Sequence, residues 1–194
     1  MSEIKLVVGL GNPGREYTET RHNIGFKVID LFLKDCEENL KNWNDIADVL
    51  KIKSLNDLII AKPQQYMNNS GFAVKKIADY FRISNDQILV IIDDFSIPLG
   101  TLRLRSNGSS GGHNGLSSVI EHFGTPNIAR LRLGVGPVPE KRDPADFVLS
   151  KFKKEENETA TLMLKNASDV LNNILKIGIE KAASKISNVE QAQP

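Results

Sequence analysis

Cysteine occurs once in the 194 residues, at Cys36, so no intrachain disulfide can form, and the helical pattern around it predicts a buried or neutral thiol without a redox role. Long apolar runs are missing too. The longest, Ile88 to Ile92, is far too short to cross a bilayer, and residues 1–20 lack the charged and apolar regions of an export signal. A soluble, unexported, cytoplasmic protein with no membrane partner is expected. Charge of one sign is also lacking, since 25 Lys+Arg against 24 Asp+Glu leave a formal net charge of +1. Bulk electrostatics therefore cannot hold this chain on nucleic acid, and any such binding needs a local basic cluster. Histidine is scarce, at three positions. Without close acid partners or zinc-type spacing these make a poor metal site, so no metal is expected.

With 40% hydrophobic and 25% charged residues, the composition is that of one globular domain. No repeat and no second domain boundary is visible. The domain is expected to span residues 1–186, with 187–194 as a flexible tail.

Lys5 to Leu10 reads as a buried strand that ends in Gly9-Leu10-Gly11-Asn12-Pro13-Gly14. Ile24, Val28, Leu31 and Phe32 then recur at helical spacing, with Asn23 as a plausible N-cap. Val49 to Lys53 and Leu58 to Lys62 suggest a hairpin ended by Pro63. A second helix carries Val74, Ile77, Ala78 and Phe81. Ile88 to Ile92 is apolar on both parities, as in a strand covered on both faces, and it ends in Asp93-Asp94. Thr101 to Arg105 and Ala129 to Val135 alternate, placing Arg103 with Arg105 and Arg130 with Arg132 on common faces. Between them a glycine-serine loop leads into His113-Asn114 and a third helix. A long C-terminal amphipathic helix carries Val170, Leu171, Ile174 and Leu175. Alternating strands and helices predict an α/β sheet with ligands beyond the carboxyl ends of the strands.

The glycines match the G-x-G-x-x-G dinucleotide fingerprint, but the helix begins too late to present its amides to a pyrophosphate, and Pro13 removes another amide. A tight turn is the competing reading. His22, between that turn and a helix start, has the titration range of a general base if a carboxylate fixes its tautomer, and Asp93 or Asp94 can supply it. His113 is the alternative base; His122, within a helix, reads as structural. No G-x-S-x-G elbow is present, so activated water is favoured over a serine nucleophile. Asn12, Asn68 and Asn114 stand at loop-to-element junctions, either as caps or as hydrogen-bonding groups for a carbonyl, a ribose or water. The arginine faces suit phosphate or are simply solvated.

Taken together, Gly9 to Gly14, Tyr17, Thr20 to Gly25, Tyr66-Met67-Asn68, Ser70-Gly71, Asp93, Gly111 to Leu116, Arg130-Leu131-Arg132 and Phe147-Val148-Leu149 resemble the bacterial peptidyl-tRNA hydrolases. The resemblance implies a monomeric α/β enzyme with a twisted, mixed sheet and helices on both faces. It would act without metal or cofactor on the ester between peptide and terminal ribose in prematurely released peptidyl-tRNA. It implies His22 as the base and Asp93 as its orienting carboxylate. By the same resemblance Asn12, Tyr17, Tyr66, Asn68 and Asn114 would contact substrate and Arg105 and Arg132 would clamp tRNA phosphate; Met67 and His113 join the expected substrate contacts, and strand alternation adds Arg103 to the expected clamp. Ile92-Asp93-Asp94-Phe95-Ser96 departs from the family's usual His-Asp-Glu-Leu-Asp, and Asn69 stands where an apolar residue is usual. A non-catalytic RNA-binding relative is the alternative.

Overall fold

The computed structural model describes residues 2–34 and 39–191; Cys36 lies outside them. In chain order the elements are β1 (Leu6–Gly9), α1 (Ile24–Phe32), β2 (Lys41–Trp43), β3 (Ala47–Ile52), β4 (Leu58–Pro63), α2 (Ser70–Phe81), β5 (Ile88–Pro98), β6 (Leu102–Arg105), α3 (Asn114–Phe123), β7 (Ala129–Gly136), α4 (Pro144–Val148), α5 (Asn157–Ile177) and α6 (Ile179–Gln191). The strands form one seven-stranded sheet in the order β2-β3-β4-β1-β5-β7-β6. Its four middle strands are parallel, and the outer pairings β2-β3, β3-β4 and β6-β7 are antiparallel. The sheet is therefore mixed, as expected.

The central strands read as unbroken apolar runs because helices cover both of their faces. On one face α1, α5 and α6 pack Val28, Ile29, Met163, Leu171 and Ala182 against Val7, Leu89, Ile91 and Leu131. On the other, α2 and α3 pack Val74, Ile77, Leu116 and Val119 against Leu6, Val8 and Val90. Each large aliphatic side chain so buried contributes roughly 1.5–3 kcal/mol.

Two glycines set the site's geometry. A Cβ on Gly9 would stand 2.3 Å from the Gly25 carbonyl oxygen, and one on Gly25 would stand 2.5 Å from that of Ile91. Helix α1 thus crosses β1 and β5 in backbone contact, and its leading turn lies over the end of β5. Gly11 seats the Phe26 ring, while Gly14 takes a φ of +110°. Close approach and a tight turn account for the G-x-G-x-x-G match, and α1 begins only at Ile24.

The C-terminal region differs from a single long helix. Gly178, with a φ of +81°, breaks it into α5 and α6. No glycine or proline follows before Pro194, and α6 continues to Gln191, into the stretch expected as a tail. Among the described residues no helix is long and apolar enough to cross a membrane.

Candidate active site

The parallel strands β4, β1, β5 and β7 open toward one edge of the sheet, where loops are free to carry polar groups. There the 3-10 turn Arg21–Asn23 places His22 beside the acid on β5: His22 Nδ1 lies 2.7 Å from Asp93 Oδ1. His113 Nε2 meets the same oxygen at 3.1 Å. All three side chains are buried, Asp93 to 2% exposure. The prediction that the histidines lack close acid partners is therefore wrong for two of the three. His22, Asp93 and His113 offer ligand atoms within 4.8 Å of one another, a grouping able to hold a metal ion. Residues 22, 93 and 113 are distant in sequence, which hid the cluster.

The hydrogen bonds fix the protons. The Leu116 amide donates to His113 Nδ1 at 3.1 Å, so His113 must carry its proton on Nε2 and donate it to Asp93. A carboxylate oxygen only accepts, so His22 also donates to Asp93 from Nδ1, which leaves the lone pair of His22 Nε2 free. A metal here would have to displace both protons. Burial alone would push the Asp93 carboxyl up, but the adjoining His22 and His113 outweigh it and hold Asp93 well below the usual carboxylate range. The acid stays charged and the His22 ring stays in one tautomer.

Asn12 is held as tightly. Its N–H donates to Asn23 Oδ1 and its carbonyl accepts from Asn23 Nδ2, both at 2.9 Å. Asn12 Oδ1 accepts the Met67 amide at 2.7 Å. Asn23 is thus a cradle for the turn, and it makes no side-chain cap on α1. With Oδ1 committed, Asn12 Nδ2 remains as a donor that bonds no described residue. His22, Asp93, Asn12, Met67, Asn68, His113 and Asn114 all line one cleft of about 490 Å³, whose walls also include Phe95 and Pro144, Val148 and Leu149 of the α4 region.

The sequence matches a model of the peptidyl-tRNA hydrolase family over residues 6–194. The chain belongs to that family. It is 42% identical to the peptidyl-tRNA hydrolase of Elusimicrobium minutum, over 95% of this chain and 99% of that one. It is 44% identical to that of Aquifex aeolicus, over 93% and 94% of the two chains. Its fold matches the crystal structure of peptidyl-tRNA hydrolase from Acinetobacter baumannii with a TM-score of 0.87, at 32% identity and over 96% and 95% of the two chains.

Within this family fold the remaining predicted positions separate. Asn68 and Asn114 are exposed in the cleft. Tyr66 lies on its rim, 61% exposed, and Tyr17 reaches it through an edge-to-face contact with Tyr66, ring centroids 6.4 Å apart. Arg103 faces Arg132 and Arg105 faces Arg130 across β6-β7, four cations on one face. They are not alike. Arg130 is buried and donates to the carbonyls of Gly108, Ser109 and Pro126, which ties down the loop leading to His113. Burial first, and Arg132 second, pull its guanidinium down to about 10, so it is still charged at neutral pH. Arg132 is half-buried and bound to Asp94, Nε to Oδ2 at 2.6 Å. Arg103 and Arg105 are exposed.

Several supports went unseen in the sequence. Arg21 is buried between the Phe147 and Phe152 rings, its Cζ 4.5 and 4.6 Å from their centroids, with Nη2 2.6 Å from Glu156 Oε2. It fastens the turn carrying His22 to the segment from α4 to α5. Burial would raise the Glu156 carboxyl, but the Arg21 hydrogen bond and charge bring it below its ordinary value. Helix α4 carried a readable signal, an Asp143 N-cap followed by Pro144 at the first helical position.

Proposed function

We propose that this chain hydrolyses the ester between a peptide and the 3′-terminal ribose of tRNA, using a water deprotonated by His22. The observation that carries this is the 2.7 Å His22–Asp93 contact, completed by His113, which leaves His22 Nε2 as a base facing the cleft. His22 takes a proton from water while the resulting hydroxide attacks the ester carbonyl. The tetrahedral intermediate collapses with release of the ribose oxygen, which receives the proton from the His22 imidazolium. The charged Asp93 stabilises that imidazolium throughout. Asn68 and Asn114 donate to the water and to the developing oxyanion.

Asn12 supplies selection. Its free Nδ2 donates to the carbonyl of an acylated α-amine, whereas a free ammonium carries only donors and would leave both groups unpaired. Arg103, Arg105 and Arg132 hold tRNA phosphate, with Tyr17 and Tyr66 beside the terminal nucleotide. In this reading the chain acts as a monomer in the cytoplasm, since the groups that meet the ester lie around one cleft and the substrate belongs to translation. Residues 1–186 act as one catalytic domain, with 187–194 as an appendage outside the chemistry.

The test is hydrolysis of N-acetyl-aminoacyl-tRNA against the unblocked ester. The blocked substrate should turn over far faster, and His22→Ala should lower kcat by about 10²–10⁴ while retaining binding. Equal rates on both esters, or a fully active variant, defeat the proposal. An RNA-binding relative without chemistry would have no use for the closed His-Asp-His relay.

A further inference from the structure

The chain contains two Asn-Gly pairs, Asn107-Gly108 and Asn114-Gly115. In such a pair the asparagine side chain is open to attack by the backbone nitrogen that follows it, because glycine has no Cβ to block the approach. The fold treats the two pairs in opposite ways. Asn114 and Gly115 open α3, where helical dihedrals hold the Gly115 nitrogen away from the Asn114 side chain. Gly115 is also packed: a Cβ there would stand 2.4 Å from Met67 Sδ. Asn107 and Gly108 instead lie between β6 and α3, in a loop with neither helix nor strand. Asn107 is exposed, and among the described residues neither its side-chain amide nor the Gly108 N–H has a hydrogen-bond partner.

Arg130 adds a second, independent feature. Its Nη1 donates to the Gly108 carbonyl at 2.7 Å and lies 3.2 Å from where a Cβ on Gly108 would stand. A fixed cation is thus held against the residue whose nitrogen must lose its proton before it attacks, and a nearby cation favours that anion.

We propose that Asn107 is a site of spontaneous self-modification that ages the enzyme. The Gly108 nitrogen gives its proton to solvent hydroxide and bonds to Cγ of Asn107. The bond from Cγ to the side-chain nitrogen breaks, and that nitrogen takes a proton from water and leaves as ammonia. A second water opens the resulting five-membered imide at either carbonyl, which gives aspartate or isoaspartate. In net terms one water is consumed and one ammonia is released, with no oxidant or reductant.

The two products strike different parts of the molecule. Aspartate places a negative charge two residues past Arg105, against the basic face, an effect that rests on the proposed hold of these arginines on tRNA. Isoaspartate also routes the main chain through Cβ, which adds one bond of about 1.5 Å before Gly108. The Gly108 carbonyl then moves off Arg130, a buried cation whose Nε has no partner among the described residues. The same loop runs on to Gly111, Gly112, His113 and Asn114, all in the wall of the cleft, so the longer chain disturbs the reacting end as well.

The experiment ages the full chain in warm, mildly alkaline buffer and follows residues 106–130, which trypsin releases between Arg105 and Leu131, by fragmentation mass spectrometry. The mass change of NH2 to OH should accumulate at Asn107 while Asn114 stays intact. Asn107→Gln should abolish it and leave the kinetics of fresh protein unchanged. With ageing, KM for N-acetyl-aminoacyl-tRNA should rise by about two- to threefold at low salt, and kcat should fall with the isoaspartate fraction. Asn107→Asp, which has the charge without the longer chain, should reproduce the rise in KM but not the loss of kcat. An intact Asn107 under conditions where a synthetic peptide of residues 104–111 reacts, or reaction at Asn114 as fast as at Asn107, overturns the site. Aged wild type with the kinetics of aged Asn107→Gln overturns its consequence for the enzyme. Failure of fresh wild type to cleave the ester defeats the hydrolase reading instead, and the mass measurement still decides the modification.

Discussion

The proposed catalytic centre at the end of β5 and the basic face on the neighbouring β7-β6 ribbon use charge in opposite ways. At the centre, Asp93 is sealed from water and both of its hydrogen-bond donors are fixed, so each proton has one place. On the basic face Arg103 and Arg105 stand in solvent opposite further arginines. Low dielectric makes a single misplaced proton costly at the centre. Water and salt make any single arginine of small consequence on the face. The contrast suits a chain with a net charge of +1 to a polyanion: four arginines share one face of the β6-β7 ribbon, apart from the buried Asp93 cluster.

The sharpest way to break this comparison, after His22→Ala, is Asp93→Asn. An asparagine facing two ring N–H groups accepts from one with its oxygen and opposes the other with its own N–H. His22 then loses its enforced tautomer, and kcat should fall by about 10²–10³ with KM little changed in steady-state assays. The same variant tests the electrostatics. Folded Asp93 releases its proton more readily than unfolded Asp, whose pKa is about 3.9. Its stabilising contribution is therefore complete above that value and is lost as pH falls toward the lower folded one. Urea midpoints of the wild type should fall progressively as the pH drops below about 4, and Asp93→Asn should flatten that fall. An active variant with an unchanged acid transition would remove Asp93 from the relay.

Arg103→Gln probes the other region and should act more weakly. Among the described residues Arg103 has no carboxylate partner and is exposed, so its loss strains nothing in the fold. KM for tRNA substrates should rise by about three- to tenfold at low salt, and the slope of log KM against log salt should fall by about 1. Because the reacting groups are untouched, kcat should hold. A fall in kcat as large as that of Asp93→Asn would erase the distinction between the two regions.

What the sequence made legible follows the same division. Elements with regular apolar spacing were readable: the buried run Ile88 to Ile92, the hairpin β3-β4, the stripes of α1, α2 and α3. Short or interrupted ones were not, such as the edge strand β2 and the break at Gly178. For the site, positions at element ends point to His22 with either Asp93 or Asp94, and the family resemblance singles out Asp93, 71 residues from His22 and 2.7 Å from its ring. Asn23 read as a helix cap because capping and cradling use the same side chain, and only the fold brings Asn12 to it. Alternation placed Arg130 and Arg132 on one face but could not tell the buried loop anchor from the half-exposed cation. That difference depends on what covers each residue, which strand period does not encode.

The finest test lies where the two regions touch. Asp94 lines the cleft, accepts the Ser96 amide at 2.9 Å through Oδ1 and holds Arg132 through Oδ2. In Asp94→Asn the amide oxygen can keep the Ser96 bond while the charge opposing Arg132 disappears. A phosphate then meets a guanidinium without a resident counter-ion, so KM should fall by about two- to threefold at low salt and the salt dependence should steepen by up to about 1. This is the smallest effect of the set, since Asp94 and Arg132 both retain some solvent and their attraction is partly screened. It also has the opposite sign to Arg103→Gln. Unchanged KM and slope in Asp94→Asn, with the Arg103→Gln effect intact, would leave the clamp to Arg103 and Arg105 and make Arg132 part of the cleft wall.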